Sequence, residues 1–444
     1  MTHTSKNICI FTTFSDNPEA YSLNRVVKDQ LKMLLRGGYT PVVIVADSFQ
    51  PSGLYADSRV VIKKIPLVPV HNEVKKDETF DSDVESIYVS LKEILKDVDV
   101  VITHDIVYQP AALKHNIASR KLAKELPSIH WLHWIHSATP PATLSNLRPY
   151  FGDAYVKLME EPFPNSKYVF FNHFSIPSVA ENFKVSESQV AIVHHPSDLQ
   201  EIYGLTDEVY KFVQDKKIYD ADAICVYPIR LDRGKQVDMV IKTMAMLKEF
   251  HLSIKVIVVD FHSTGGDKLT YRDELKNLAI DYGLQQDELL WTSESSPFWE
   301  AEVPHDDVMG LMRMSNVFIM PSRSESYSLI TQEAGMNKAV MVINQDFPPF
   351  RDIFGPHAIY RKFGSNFDIL EHKQFDGSFT DRNYRPGGHA PEEEGSYEKK
   401  YHKETAGLIA NELNTRPMGM AMFLRKYRNL NYVFEHELQP LFYG

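Results

Sequence analysis

The sequence predicts an α/β protein of two Rossmann-like, doubly wound domains. Three observations carry that expectation. The chain has 444 residues, beyond the size at which one hydrophobic core keeps growing. Short apolar runs alternate with amphipathic ones, the pattern of a parallel sheet covered by helices on both faces. The alternation starts near residue 7, lapses after residue 198 and starts again near residue 223.

The first half opens on NICIFTTF, an apolar run that reads as a buried strand. SLNRVVKDQLKMLLRGG follows, with Leu23, Val26, Val27, Leu31, Leu34 and Leu35 at helical spacing and Gly37–Gly38 as the stop. Further strands are expected at YTPVVIVAD, VVIKKI, VDVVITHD, SIHWLHWIH, KYVFFN and VAIVHH, with helices at DVESIYVSLKEILKD and QPAALKHNIASRKLAKEL. The second half repeats the plan: AICVYPIR, SIKVIVVDF, ELLWTS, NVFIMPS and AVMVIN read as strands. QVDMVIKTMAMLKEF, YRDELKNLAIDYGL, HDDVMGLMRMS and SLITQEAGMN read as the helices between them. MAMFLRKYRNLNYVFEHELQPLF reads as one C-terminal helix. The expected divisions are 1–200, 201–425 and 426–444. Residues 139–166, rich in Pro and aromatics, interrupt the first half. Residues 374–402, polar and rich in Gly and Pro, are expected to form a solvated insertion.

Hydrophobic residues at 43% and charged residues at 24% are those of a soluble globular chain. A net charge of −11 offers no basic footprint for nucleic acid or an anionic membrane. No apolar stretch reaches the ~18 residues that a membrane span needs. Cys9 and Cys225 lie in apolar strand-like runs and read as buried free thiols. With an N-terminus, MTHTSKN, that lacks a secretory pattern, they suit a cytoplasmic protein.

Ligands of doubly wound sheets sit beyond the carboxyl ends of the strands, often between two such domains. Three groups of residues fall at those ends. In PSRSESYSLITQEAG, Glu325 lies on a loop after a strand that Pro321 stops, and Glu333 lies about a turn into the next helix. Ser328 is placed to cap that helix with Thr331 at its third position, and free N–H groups there favour a phosphate. Carboxylates accept hydrogen bonds from paired hydroxyls, so the pair suits a sugar–phosphate–ribose ligand. In YPIRLDRGKQ, Arg230 offers a fork to phosphate oxygens and Lys235, five residues on, a mobile point charge. The third group is histidine: His104 and Asp105 end one strand, and His130, His133 and His136 run along the next, with His136 at its end. Side chains alternate along a strand, so these three histidines do not converge and no metal site is expected. His194, His195 and Asp198 follow at the junction of the two halves. P-loop, G-x-S-x-G and C-x-x-C motifs are absent, and HSTGGDK resembles a phosphate loop only by its glycines.

YPIRLDRGK resembles the GR-x-x-x-x-K segment, and PSRSESYSLITQEAG the E-x7-E segment, of the retaining GT-B glycosyltransferases of family 4. VAIVHHPSDL is similar to that family's domain junction, with Asp198 in the Asp place, and PHDDVMGLMRMSNVFIMPS to the helix and strand before E-x7-E. The likeness is close over roughly 190–345 and topological before it. It implies two domains facing a cleft and a nucleoside-diphosphate sugar as donor substrate, with no cofactor and no metal. Arg230 and Lys235 would hold the diphosphate, Glu333 the ribose and Glu325 the sugar hydroxyls. Ser326, Tyr327, Ser328 and Leu329 would line the phosphate, the last two through backbone N–H groups. The base would lie near Trp291, Thr292 and Ser293, and His136 beside the transferred sugar. The resemblance also implies a C-terminal helix that crosses back to the first domain.

The chain departs from the family's pattern in three places. TTFSDNPEAYS replaces a Gly-rich turn after the first strand, His195–Pro196 an Asn–Gly, and Ser326 and Ser328 the usual glycines. The acceptor is expected on the first domain, near Asn17, His104, Asp105 and Arg148, and to be a glycan, lipid or small molecule. A hydroxylated base in DNA is the alternative acceptor. An epimerase or a non-catalytic nucleotide-sugar-binding module is the alternative class.

Overall fold

A computed structural model describes residues 6–16, 22–66, 77–136, 152–261, 268–323, 325, 327–364 and 394–444. The chain divides into two compact units, Met1–Ser197 with Tyr427–Gly444, and Asp198–Lys426. Each unit is built on one parallel sheet, as the alternation of elements requires.

In the first unit the strands are β1 (Ile8–Phe11), β2 (Val42–Ala46), β3 (Val61–Ile65), β4 (Val100–His104), β5 (His130–Trp134), β6 (Ser166–Phe170) and β7 (Val190–Ile192). They lie in the order β3-β2-β1-β4-β5-β6-β7. β1 is buried along its whole length, as expected of a central strand covered on both faces. One face packs through Cys9, Phe11, Val101 and Trp131, the other through Ile8, Ile10, Val100 and Leu132. The second face is covered by the helix Ser22–Arg36, which contributes Val27, Leu31 and Leu34. Asn24 and Gln30 are buried polar residues on the same helix. The Tyr55 hydroxyl donates to Asn24 Oδ1 at 2.7 Å.

The second unit carries β8 (Ala223–Arg230), β9 (Ile254–Phe261), β10 (Leu289–Trp291), β11 (Val317–Met320), β12 (Val340–Asn344) and β13 (Ile359–Arg361). Their order is β10-β9-β8-β11-β12-β13. β8 and β11 are therefore neighbours, although residues 231–316 separate them in the chain. β13 was not expected from the sequence; its short, half-buried run IYR gives little apolar signal. Cys9 and Cys225 are buried free thiols, and burial raises the pKa of both, that of Cys225 to about 12.

Two expectations are corrected. The polar insertion does not extend to residue 402, because a helix already runs from Glu394 to Leu413. Its buried stripe is His402, Thr405, Ala406, Ile409, Ala410 and Leu413, at helical spacing. His402 Nδ1 lies 2.8 Å from Thr243 Oγ1. The rest of the insertion lies outside the described residues. The final run is not one helix. The helix Arg416–Tyr427 ends before Asn429, whose side chain accepts from Tyr432 N at 2.9 Å and caps the next helical turn. Ser197 pairs with Asn429 across this break, and the residues beyond it pack on the first unit through Leu430, Val433, Phe434 and Leu438.

Candidate functional site

β8 and β11 run parallel, so their carboxyl ends release two loops from one edge of the second sheet. After β8 the chain makes a tight turn, Arg233–Lys235, and the Tyr227 hydroxyl donates to the Lys235 carbonyl at 2.8 Å. After β11, Pro321 and Ser322 are buried. Three contacts tie the loops together. The Arg323 N–H donates to Gly234 O at 3.1 Å, the Gln236 amide donates to the Pro321 carbonyl, and Lys235 pairs with Glu325. From the end of β12, Asn344 Nδ2 donates to Ser322 O at 3.0 Å and to Gly364 O at 2.7 Å. The two loops thus form one fixed unit that carries a cation and a carboxylate in contact. Arg230 is exposed and makes no ion pair with any described residue, so its guanidinium is open to an anion.

The helix after this loop, Leu329–Met336, has Ser328 at its cap and Thr331 at its third position. The cap differs from expectation. Ser328 adopts φ 71° and ψ 77°, and its hydroxyl bonds Thr331 Oγ1 at 2.7 Å instead of a backbone N–H. With its hydroxyl engaged by the Thr331 hydroxyl, Ser328 makes no side-chain hydrogen bond to a backbone N–H of the first turn, whose N–H groups are left without that cap. Leu329 and Tyr327 are exposed, and the Tyr327 hydroxyl donates to Gln332 Oε1 at 2.8 Å. Glu333 is half-buried, 3.9 Å from His305 Nε2. Among the described residues no hydrogen bond joins Glu333 to Lys235 or Glu325. Ser326 lies outside the described residues.

Trp291 and Thr292 are buried, so a ligand there would meet backbone more than side chain. Thr292 Oγ1 donates to Asp260 Oδ1 at 3.2 Å, and the Ser293 N–H and hydroxyl donate to the same carboxylate at 3.1 and 2.6 Å. Arg272 donates to Ser293 Oγ at 3.1 Å and pairs with Glu294. Asp260 and Arg272 were not singled out from the sequence. The available signal was an acid near the end of an apolar strand. A cavity of about 550 Å³ lies at the sheet edge, lined in part by Lys216, Lys276, Leu284, Trp291 and Glu294. It contains none of Arg230, Lys235, Glu325 and Glu333.

In the first unit the carboxyl ends of β4, β5 and β6 and the residues after β7 bring aromatic rings into a row. His104 and His136 stack with centroids 5.3 Å apart, and His104 Nδ1 lies 3.0 Å from His136 Nε2. The His195 ring stands 6.4 Å beyond His136, and Phe171 lies 4.7 Å from His195. Burial lowers the pKa of all three histidines, that of His136 to about 4; His104 and His195 are lowered further by repulsion from neighbouring histidines. Asp105, at φ 60°, accepts from the Tyr108 hydroxyl, and that hydroxyl accepts from the His136 backbone N–H at 3.2 Å. His133 points the other way, buried against Phe163 and 2.8 Å from Thr103 Oγ1. Among the described residues no three His, Cys, Asp or Glu side chains are arranged to hold a metal ion. Asn17 and Arg148 lie outside the described residues. Asp198 accepts from Gln200 N at 3.1 Å, capping Leu199–Tyr203. Among the described residues no helix is long and apolar enough to cross a membrane.

Residues 210–363 match the family of glycosyl transferases group 1. This stretch contains Arg230, Lys235, Glu325 and Glu333, the residues on which the resemblance was read. No curated protein matches the chain. Solved structures align over nearly its full length at low identity. A glycosyltransferase from Rickettsia africae is 15% identical, with 99% of this chain and 98% of that one covered and a TM-score of 0.34. HepE of Anabaena in complex with UDP is 11% identical, with 97% of each chain covered and a TM-score of 0.33. A UDP-forming trehalose-phosphate synthase from Burkholderia xenovorans is 13% identical, with 99% of each covered and a TM-score of 0.34.

Proposed function

We propose that this protein is a glycosyltransferase that moves a sugar from a nucleoside-diphosphate sugar to an acceptor hydroxyl, with retention at the anomeric carbon. The observation that carries the reading is the Lys235–Glu325 contact at the carboxyl ends of β8 and β11, beside an exposed Arg230. It lies within the stretch that matches glycosyl transferases group 1.

Arg230, Lys235 and the open first turn at Ser328 and Leu329 would bind the diphosphate and stabilise the charge that grows on it as it leaves. Glu325 would orient the sugar by accepting from its hydroxyls, and Glu333 would accept from the ribose. The bond from the anomeric carbon to the diphosphate breaks as the bond to the acceptor oxygen forms on the same face. The acceptor's proton passes to a departing phosphate oxygen, and the nucleoside diphosphate is released. His136, neutral through burial, would supply a polar contact to the transfer step.

The acceptor is proposed to be a glycan, lipid or small molecule, since a net charge of −11 gives DNA no general attraction. Calorimetric titration with UDP-, GDP-, ADP- and dTDP-sugars, repeated on Glu333→Ala, tests the donor site. Binding of one donor that the variant loses supports it; binding that the variant keeps unchanged removes Glu333 from it. A donor bound but never turned over with any acceptor would make the protein a binding module.

A further inference from the structure

A chain of three polar side chains runs from the interior of the first unit to the end of β5. Gln30 is 1% exposed and projects from a helix face otherwise packed with Val27, Leu31 and Leu34. Its Oε1 lies 2.8 Å from His104 Nε2, and His104 Nδ1 lies 3.0 Å from His136 Nε2. Gln30 Nε2 is buried without a partner. An unsatisfied buried donor is destabilising, a cost that an apolar residue here would avoid. The amide's hydrogen bond is to His104, so its presence is tied to that ring.

The direction of the chain follows from donor and acceptor rules. An amide oxygen only accepts, so His104 Nε2 carries the hydrogen. Among the described residues no carboxylate meets either ring nitrogen of His104; Gln30 and His136 occupy them, and Trp134 lies against the ring. The nearest chain neighbour with a charge, Asp105, is engaged by Tyr108. Buried among such partners, His104 is neutral and has one N–H, so its Nδ1 is an acceptor. His136 must then donate from Nε2, which leaves its Nδ1 bare. Among the described residues that Nδ1 has no hydrogen-bond partner.

We propose that Gln30 is a positioning residue: through His104 it fixes His136 as the Nε2–H tautomer, so that His136 offers a hydrogen-bond acceptor, Nδ1, to a hydroxyl of the bound substrate. Assigning that hydroxyl to a sugar or its acceptor rests on the glycosyltransferase reading; the tautomer does not. With the Gln30 amide turned over, every hydrogen in the chain would reverse and His136 would present an N–H.

The test is long-range proton–nitrogen correlation NMR on protein labelled with 15N-histidine, for the wild type and Gln30→Met, alongside steady-state transfer kinetics. In the wild type His104 and His136 should both read as Nε2–H. His136 read as Nδ1–H overturns the proposal, and this spectrum decides even if the variant fails to fold. In folded Gln30→Met, His136 should show both tautomers. The kcat should fall about 10-fold while the donor KM stays within about 2-fold, the pattern of an interaction used in the transition state. An unchanged tautomer or an unchanged kcat overturns the proposal. The expected wild-type spectrum in a protein that transfers no sugar would sink the glycosyltransferase reading and leave the tautomer assignment standing.

Discussion

The ammonium of Lys235 rests on the carboxylate of Glu325, although 90 residues separate them in the chain. Both side chains are mostly buried, at 16% and 17% exposure. Removing the lysine therefore deletes a phosphate-binding charge and strands a carboxylate in a partly desolvated place. Lys235→Ala is expected to weaken binding of the nucleotide-sugar donor by about 1.5–3 kcal/mol, roughly 10- to 150-fold. Calorimetry on the folded variant checks this; an unchanged Kd would exclude Lys235 from the donor site.

Ser328 sits in the left-handed region, at φ 71°. Serine tolerates this conformation at a cost, glycine at almost none, and a β-branched side chain least of all. Ser328→Val is expected to lower stability by about 2 kcal/mol, while Ser328→Gly stays within about 1 kcal/mol of wild type. Urea denaturation of both variants is the check. A fully tolerated valine would mean that the backbone at 328 is not left-handed in solution.

The strands were legible because parallel strands buried on both faces read as continuous apolar runs, as ICIF and VFIM do. The clamp of Lys235 on Glu325 was legible only as two loops at one sheet edge. The contact itself depends on Gln236, Asn344 and Gly234, which have no charge or motif to mark them. The Ser328 cap misled because residue type reveals a possible cap but not that the Thr331 hydroxyl engages it. Gln30 was invisible for a related reason: one polar residue in an apolar helical stripe looks like noise until its partner, His104, is placed 74 residues away. The broken C-terminal helix was hidden because Arg428 and Asn429 are compatible with a helix, and the break is stabilised by Ser197 from elsewhere.

Burial holds the His136 pKa at about 4, against about 6.5 for a free imidazole. The unfolded chain therefore binds the proton first as pH falls. Stability supported by the neutral ring is complete above pH 6.5 and is lost between pH 6.5 and 4. Discounted for partial exposure, the loss is roughly 2–3 kcal/mol. His104 and His195 face the same ring and are lowered in the same direction, so they add to the decline. His136→Asn should flatten the urea-midpoint profile over this range relative to wild type. A variant profile as steep as the wild type's would show that His136 titrates normally.

Gly37 follows the helix Ser22–Arg36 and lies against the ring of Phe434, in the C-terminal segment that packs on the first unit. A methyl group at Gly37 would overlap Phe434 Cζ and stand 2.6 Å from Cε1. The ring is buried and edge-on to Tyr39, with centroids 6.2 Å apart, so it cannot retreat without disturbing that pair. Overpacking of this kind costs about 1–3 kcal/mol. The rest of the sheet does not depend on this contact, so the strain should fall on the attachment of residues 427–444. Gly37→Ala is therefore expected to speed proteolysis within that segment while the remainder of the first unit stays resistant. Gly37→Ala with Phe434→Leu, which gives the methyl group room, should recover much of the protection. Equal cleavage of wild type and Gly37→Ala would mean that Phe434 does not seat against Gly37 in solution.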